Sequence, residues 1–393
     1  MLNQRMDFPQ AEWSQAGSIL MHTPGQELFN GVIHPSAGLF EYYFDVDKAA
    51  AEHKQYINML EANNIRVYTI REIFEEVDIN NLRSLAEKLL TYDISHIDGE
   101  DATKMAEYRL YILSQMSRAD LIRCILLQPT VTLYRTSLNT GYAAQYSQRP
   151  LMNLYFTRDQ SITTPRGHII CHINTTQRSP EADIIELCYK HLGKDPILRI
   201  TGEGRLEGGD YIPAGNMSLI GCGMRTNDEG IRQLMEADAF GHDTVVVVRD
   251  HKFWQMQMHL DTYFNIIDSN LVTLPSTRMN AQAGESNHVA IDIYTRAPGR
   301  LKYKQTTTNG SLVKFLQDRH IQIIPLSDED EQHFGSNYLC IAPRHIMVTD
   351  GVSEDFKKKM EHYKVKVEYI KLNELTEGNG CAHCMTQVLL RQP

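Results

Sequence analysis

Short apolar runs of a few residues, each followed by a helix-like stretch, recur along nearly all of the chain. This alternation limits the possible fold more than any other feature. Residues 18–22 read as a strand, 47–63 as a helix with Ala50, Tyr56, Met59 and Leu60 near helical spacing, and 65–70 as a strand again. The pattern returns at 168–173, 181–192 and 197–200, then at 312–319 and 321–325, and once more at 346–349, 353–362 and 365–370. Strands separated by helices in this way predict an α/β fold. One stretch departs from it. Residues 81–127 are helix-like almost throughout, with apolar stripes at Leu82, Leu85, Leu89 and Leu90 and at Met105, Leu110, Ile112 and Leu113, both expected to face a core. Ser117 is placed as an N-cap with Asp120 at the third helical position. This stretch is expected to be a helical insertion. No linker, low-complexity segment or repeat of fixed period interrupts the chain.

Composition excludes several classes. Apolar residues make up 42% and charged residues 22%, enough for a packed core, so global disorder is excluded. The formal charge of -10 argues against sequence-independent nucleic-acid binding, which needs a basic face. No apolar run approaches the roughly 20 residues of a membrane span; the run 245–248 is held between Asp243 and Arg249. Residues 1–10 are polar and carry no secretory signal pattern. The 7 cysteines, an odd and sparse number, fit a reducing cytoplasm better than a disulfide scaffold, so a cytoplasmic location is expected.

Chemistry-bearing residues gather in a few places. Read as a strand, 257–261 puts Gln257, His259 and Asp261 on one face and Met258 and Leu260 on the other. The polar face then offers either a solvent-facing edge or an imidazole beside a carboxylate. In 153–159, Asn153, Tyr155, Thr157 and Asp159 share parity in the same way. Glu207-Gly208-Gly209-Asp210 is either a turn or a place where glycines let the backbone approach a ligand. Near the end, Cys381-Ala382-His383-Cys384 sits after glycines and admits three readings. A structural zinc site lacks a second ligand pair. A thioredoxin-type dithiol belongs between an early strand and a helix. A single nucleophilic cysteine needs His, Glu and Asp to converge on it from elsewhere in the chain.

Taken together, the segments Phe156-Thr-Arg-Asp159, Glu207-Gly-Gly-Asp210, Met258-His-Leu-Asp-Thr262 and His383-Cys-Met-Thr386, in that order, resemble the arginine deiminases of the guanidino-group-modifying (pentein) superfamily. The resemblance covers nearly the whole chain. It implies one catalytic domain over 1–393, a five-bladed ββαβ propeller of pseudo-fivefold symmetry with its site in the central channel, and a helical insertion at 78–140. It also implies roles. Cys384 corresponds to the nucleophile, His259 to the general acid/base and Glu207 to its carboxylate partner. Asp159 and Asp261 correspond to the pair that grips the guanidinium. Arg178 and Arg225 correspond to the groups that hold the substrate α-carboxylate, and Asn153 to a further contact at that end.

The implied reaction is hydrolysis of free L-arginine to citrulline and ammonia through an S-alkylthiouronium on Cys384, with no metal or organic cofactor, in a homo-oligomer. The pair of arginines favours arginine over agmatine. Methylated arginine, citrulline or amidino transfer are the alternatives within the superfamily, and a non-catalytic guanidino-binding, thiol-redox or zinc protein the alternatives outside it. The chain departs from the family's pattern at 379–382, where Asn379, Cys381 and Ala382 replace a denser glycine run and an arginine. Cys381 is expected to be a small packed residue, or the partner of Cys384 in a strained, regulatory disulfide.

Overall fold

The computed structural model describes residues 11–97, 99–138 and 140–392. The reading of 1–10 lies outside the described residues. Five small sheets share one plan, in which two antiparallel strands are followed by a helix and a third strand parallel to the second. Blade 1 is the exception in chain order, because its first strand is the last in the sequence. Gln387–Arg391 pairs antiparallel with Ala16–Met21, which pairs in parallel with Arg66–Thr69 after helix Val46–Ala62. Blade 2 comprises Ser161–Thr164, Gly167–Ile170, helix Glu181–His191 and Leu198–Arg199. Blade 3 comprises Tyr211–Pro213, Met217–Cys222, helix Asp228–Glu236 and Thr244–Arg249. Blade 4 comprises Asn265–Asp268, Leu271–Pro275, helix Leu312–Gln317 and Gln322–Leu326. Blade 5 comprises Leu339–Ala342, His345–Thr349, helix Glu354–His362 and Lys366–Ile370.

The packing closes these blades into a ring. Along Ala16–Met21, Ile19 and Met21 join an apolar cluster with Leu339 and Met347 of blade 5, whereas Leu20 joins Ile170 and Ile184 of blade 2. Along Thr244–Arg249, Val245 and Val247 pack with Ile162 and Ile169 of blade 2, and Val246 and Val248 with Val272 and Leu274 of blade 4. Ile267 and Ile324 of blade 4 meet Ile346 and Val348 of blade 5. Every neighbouring pair of blades therefore shares an apolar cluster, and blades 5 and 1 close the circle. A strand buried on both faces needs no polar alternation, which is why 245–248 is a continuous valine run. The result is a five-bladed ββαβ propeller.

Two additions decorate the ring. A hairpin of Ala290–Thr295 and Lys304–Ser311, inserted within blade 4's sequence, extends the outer edge of blade 3 through pairing with Thr244–Arg249. Between blades 1 and 2, helices Ile70–Glu76, Ile79–Leu89, Glu100–Gln115 and Arg118–Leu127 pack with a sheet of Thr91–Asp93, Pro129–Arg135 and Tyr142–Gln148. This unit extends beyond 78–140 on both sides and includes strands. Ser117 caps the last of these helices, accepting from the Asp120 amide. Leu82, Leu85, Leu89 and Leu113 are buried as expected, but Leu110 is 47% exposed on the outer side of its helix.

The strand read over 257–261 is not formed. Those residues make two short 3-10 turns, Gln255–Gln257 and Leu260–Thr262, with His259 extended between them. Side chains replace the ladder there: Asp210 Oδ1 accepts from the Leu260 amide at 3.0 Å, and the Thr262 hydroxyl donates to the His259 carbonyl at 2.7 Å. The segment 153–159 likewise turns instead of extending, with the Phe156 amide donating to the Asn153 carbonyl at 3.0 Å. Among the described residues no helix is long and apolar enough to cross a membrane.

Candidate active site

Each blade delivers polar side chains from the segment just ahead of its first strand. Asp159 precedes Ser161–Thr164, Glu207 precedes Tyr211–Pro213, and His259 and Asp261 precede Asn265–Asp268. Asn337 precedes Leu339–Ala342, and His383 and Cys384 precede the closing strand Gln387–Arg391. In a ring these segments converge on the axis, so residues scattered over 153–384 become neighbours.

The nucleophile candidate is set on a tight loop. The amides of Cys381 and Cys384 both donate to Asn337 Oδ1, at 3.0 and 3.2 Å, and the His383 amide donates to the Asn337 carbonyl at 3.1 Å. One asparagine thus holds three amides within four residues of that backbone. Cys384 Sγ lies 3.7 Å from Asp261 Oδ2. Burial, then Asp261 and Asp159, push its thiol well above the ordinary cysteine range, while a hydrogen bond from Asn337 works the other way. Cys381 is also a free thiol, wholly buried in the apolar cluster between blades 5 and 1.

His259 Nε2 is 2.8 Å from Glu207 Oε2, and its Nδ1 is 3.8 Å from Asp159 Oδ1. The other Glu207 oxygen accepts from the Asn174 amide at 2.9 Å. Burial opposes charge on this imidazole, but Asp159, the Glu207 hydrogen bond and Asp210 outweigh it and raise His259 to about 9. Burial also works against Glu207, yet the His259 bond and charge bring it to about 2. The pair is therefore imidazolium and carboxylate near neutrality. Gly209 makes room for it, since a Cβ there would sit 2.8 Å from the His259 ring. Glu207 to Asp210 is both readings at once, a short 3-10 turn and a close backbone approach to a functional ring.

Among the described residues, Asp159 and Asp261 each hydrogen-bond through one oxygen only, and Asp159 Oδ1 faces the His259 ring at 3.8 Å. Asp159 Oδ2 accepts from Arg178 Nη1 at 2.7 Å, and Asp261 Oδ2 faces His383 Nδ1 at 2.6 Å. Oδ1 of both is buried without a hydrogen bond. Such atoms are costly unless something completes them.

Arg225 lines the same cleft. Its Nη2 reaches Gln255 at 3.3 Å, and its buried Nε has no partner. Arg178 is more committed: besides Asp159 it donates to Glu181 through Nε and Nη2, and to the Asn153 carbonyl at 3.4 Å. Asn153 Nδ2 donates to the Gly38 carbonyl at 3.1 Å. Asn153, Asp159, Arg178, Arg225, His259 and Cys384 all border one cleft, closed over by Leu39 and Asn379, with about 20 Å³ of space, roughly one water molecule. Asp159, Glu207 and His259 also lie close enough to share an ion, but their atoms already pair with one another.

Sequence reasoning missed Asn337, Glu181 and Gln255, and gave His383 no role. Asn337 had a signal, a polar residue two positions before a blade's first strand, as at Asp159. Glu181 reads as an ordinary first-turn acid of its helix, yet it is fully buried against Arg178.

The family model for arginine deiminase matches residues 37–391. The arginine deiminase of Halobacterium salinarum is 26% identical, over 98% of this chain and 96% of its own length. That of Lactococcus lactis subsp. lactis is 28% identical over 97% and 98%. Among solved structures, a cysteine-to-serine mutant of dimethylarginine dimethylaminohydrolase from Pseudomonas aeruginosa, complexed with citrulline, matches with a TM-score of 0.56 at 17% identity, covering 95% of this chain and 99% of that one. The N-terminal domain of ArgZ, a cyanobacterial arginine dihydrolase, matches with a TM-score of 0.57 at 14% identity, covering 96% and 99%. These likenesses carry the pentein fold. With the family match spanning most of its length, the chain belongs to the arginine deiminase family of hydrolytic enzymes.

Proposed function

We propose that this protein hydrolyses free L-arginine to L-citrulline and ammonia, with Cys384 as nucleophile and His259 as general acid and base. The observation that carries this reading is a pair of buried carboxylates, Asp159 bordering the cleft with His259 and Cys384, and Asp261 with its Oδ2 3.7 Å from the Cys384 sulfur, each with an Oδ1 that makes no hydrogen bond among the described residues. A guanidinium is a flat cation with N–H groups on every edge. It completes both carboxylates with charge-assisted hydrogen bonds and presents the face of its central carbon to sulfur. The relatives' printed activity, arginine deiminase, supports the same substrate.

The electrostatics support a thiol that ionises only when the site is filled. In the empty site the neighbouring acids oppose a thiolate; a bound cation offsets them. Attack on the guanidinium carbon gives a tetrahedral adduct. His259, charged at the start, donates its proton to the departing nitrogen, and ammonia leaves an S-alkylthiouronium. The now neutral imidazole takes a proton from water, whose oxygen attacks the same carbon. Collapse expels the sulfur as thiolate and releases citrulline; the adduct's hydroxyl proton passes to the sulfur, replacing the one the thiol gave up to solvent on ionising, and the imidazolium is restored. Glu207 stabilises the charged imidazole at both ends of this cycle.

The amino-acid end falls to Arg225, whose Nε is free for a carboxylate, with Arg178 and Asn153 beside it. Because most of the Arg178 donors are already spent on Asp159 and Glu181, a second substrate, agmatine, is the reading to compete with. Ammonia release from arginine, agmatine and citrulline, measured side by side, separates them. Arginine is expected to dominate; agmatine turned over equally well would overturn the choice. Mass analysis of protein quenched during turnover is expected to show the amidino adduct on Cys384, and its absence under steady turnover would reject the covalent route.

A further inference from the structure

Beside Cys384 stands a buried imidazole to which the reaction above gives no part. His383 precedes the nucleophile and is completely buried. Its Nδ1 lies 2.6 Å from Asp261 Oδ2, and its Nε2 lies 3.4 Å from Glu12 Oε1. The same Glu12 oxygen is ion-paired with Arg391 Nη2. Arg391 Nη1 in turn donates to the carbonyls of Ser14 at 2.8 Å and Cys340 at 2.7 Å. A continuous chain of polar contacts thus runs from Asp261 in the site to an arginine of the strand that closes the ring. All four side chains are buried.

The hydrogen-bonding demand on His383 is specific. A neutral imidazole has one donor and one acceptor nitrogen, so it would turn a lone pair toward one of two carboxylates. Only the doubly protonated ring donates to both. The surrounding charges agree with that. Burial alone would raise Glu12, but Arg391 and His383 hold it down at about 2, so it is an anion. Arg158 is the other cation here; its Nε donates to the His383 carbonyl at 3.3 Å, and its charge acts on Glu12, which sits opposite. On the far side stand Asp261 and the Cys384 thiol.

The consequence falls on Asp261. Its Oδ2 is taken by His383, which leaves Oδ1 as the oxygen available to a guanidinium. Asp261 also neighbours an acidic group, Asp159, that acts on the same thiol. Without a cationic donor behind it, Asp261 would be free to rotate, or to take a proton, and in either case would present the wrong face to a cation.

We propose that His383 is a positioning residue for the reaction: held between Glu12 and Asp261 as an imidazolium, it fixes the Asp261 carboxylate as an anion in a single orientation toward the substrate. This inference rests on the reading of the reaction given above.

Two measurements test it. In the first, arginine kinetics are compared for wild type, His383→Ala, His383→Asn and Glu12→Gln. Asparagine keeps an N–H near the place of Nδ1 and loses the link to Glu12. His383→Ala is expected to lose roughly 100-fold or more in kcat/KM, with kcat carrying much of the loss, and His383→Asn to recover most of it. Glu12→Gln, which touches neither sulfur nor substrate, is expected to fall between wild type and His383→Ala. In the second, nitrogen-15 histidine NMR on the wild-type protein at neutral pH is expected to show protons on both ring nitrogens of His383, assigned by loss of the signal in whichever variant folds.

A neutral His383 ring in the wild type, or a folded His383→Ala with wild-type kinetics, would overturn the positioning role while leaving the reaction intact. A wild type that releases no ammonia from arginine would instead overturn the reaction itself. The NMR measurement needs only one of the two His383 variants, alanine or asparagine, to fold for its assignment.

Discussion

At the scale of the residue, the site is governed by which polar atoms are left unpaired. Burial and two acids, Asp261 and Asp159, oppose charge on the Cys384 thiol. The thiolate absorbance of the protein, titrated with and without an unreactive arginine analogue, is therefore expected to show a clearly lower apparent pKa for Cys384 when the analogue is bound. Equal values would remove substrate-assisted activation. Cys384→Ser is expected to lose at least about 10⁴-fold in kcat, the scale typical of a lost covalent nucleophile. Arg225 makes a different prediction, since its Nε, without a partner among the described residues, is the group proposed to hold the substrate carboxylate. Arg225→Gln is expected to raise KM for arginine about 10- to 100-fold with a smaller change in kcat, and to leave any agmatine turnover unaltered. A uniform loss for both substrates would mean that Arg225 shapes the cleft and does not hold the carboxylate. Of these residues, Cys384, His259, Glu207, Asp159 and Asp261 were recognisable from four short motifs. Asn337 and Glu181 were not, because a lone asparagine before a strand and an acid in a first helical turn are ordinary sights in sequence. Only the ring shows what they touch.

At the scale of the element, the loop carrying Cys384 depends on a backbone that passes close to aromatic rings. A Cβ on Gly380 would come within 2.5 Å of the Phe156 ring and 3.1 Å of the Cys384 Cβ. Asn379 alongside it takes a left-handed φ of 65° and donates to the Leu39 carbonyl at 3.0 Å. The departure from the family's glycine run therefore keeps a glycine where space is shortest and uses an asparagine, which tolerates the left-handed region, where the turn needs it. Gly380→Ala is expected to lower kcat by about 10² or more, because the clash displaces Cys384, and to lower the melting temperature as well, because Phe156 belongs to the core cluster between blades 5 and 1. A variant with full activity would show that the loop has slack. A different axial loop accounts for the strand read at 257–261: its apolar residues alternate, yet its amides are satisfied by Asp210 and by turns. Alternation reports burial on one face only, whereas at the axis of the propeller the polar residues Gln257, His259 and Asp261 are buried as well as Leu260.

At the scale of the whole molecule, the alternation of strands and helices was legible but the number of blades was not. The repeats share a plan without sharing a sequence, and two insertions break their spacing. The first blade is assembled from both ends of the chain, which no local pattern records. That closure also makes the fold's stability answer to the charges at its hub, and the direction can be worked out. His259 is raised to about 9 in the folded ring but titrates near 6.5 once exposed. Below about 6.5 both states hold its proton and the stabilisation is fully present. As pH rises toward 9 the folded state alone keeps the proton, so stability declines through that window. His53 and His242 act in the opposite sense: burial holds them at about 3 and about 4, so the unfolded chain takes up protons first and stability falls as pH drops below about 6.5. Glu12 and Glu27, held at about 2, extend that acid loss below about 4.5. Urea unfolding followed from pH 4 to 9 is therefore expected to give a midpoint that peaks between the two limbs. His259→Gln is expected to flatten the limb between pH 6.5 and 9 while leaving the acid limb in place. An alkaline limb unchanged in that variant would show that the imidazolium at the axis does not contribute to holding the ring closed.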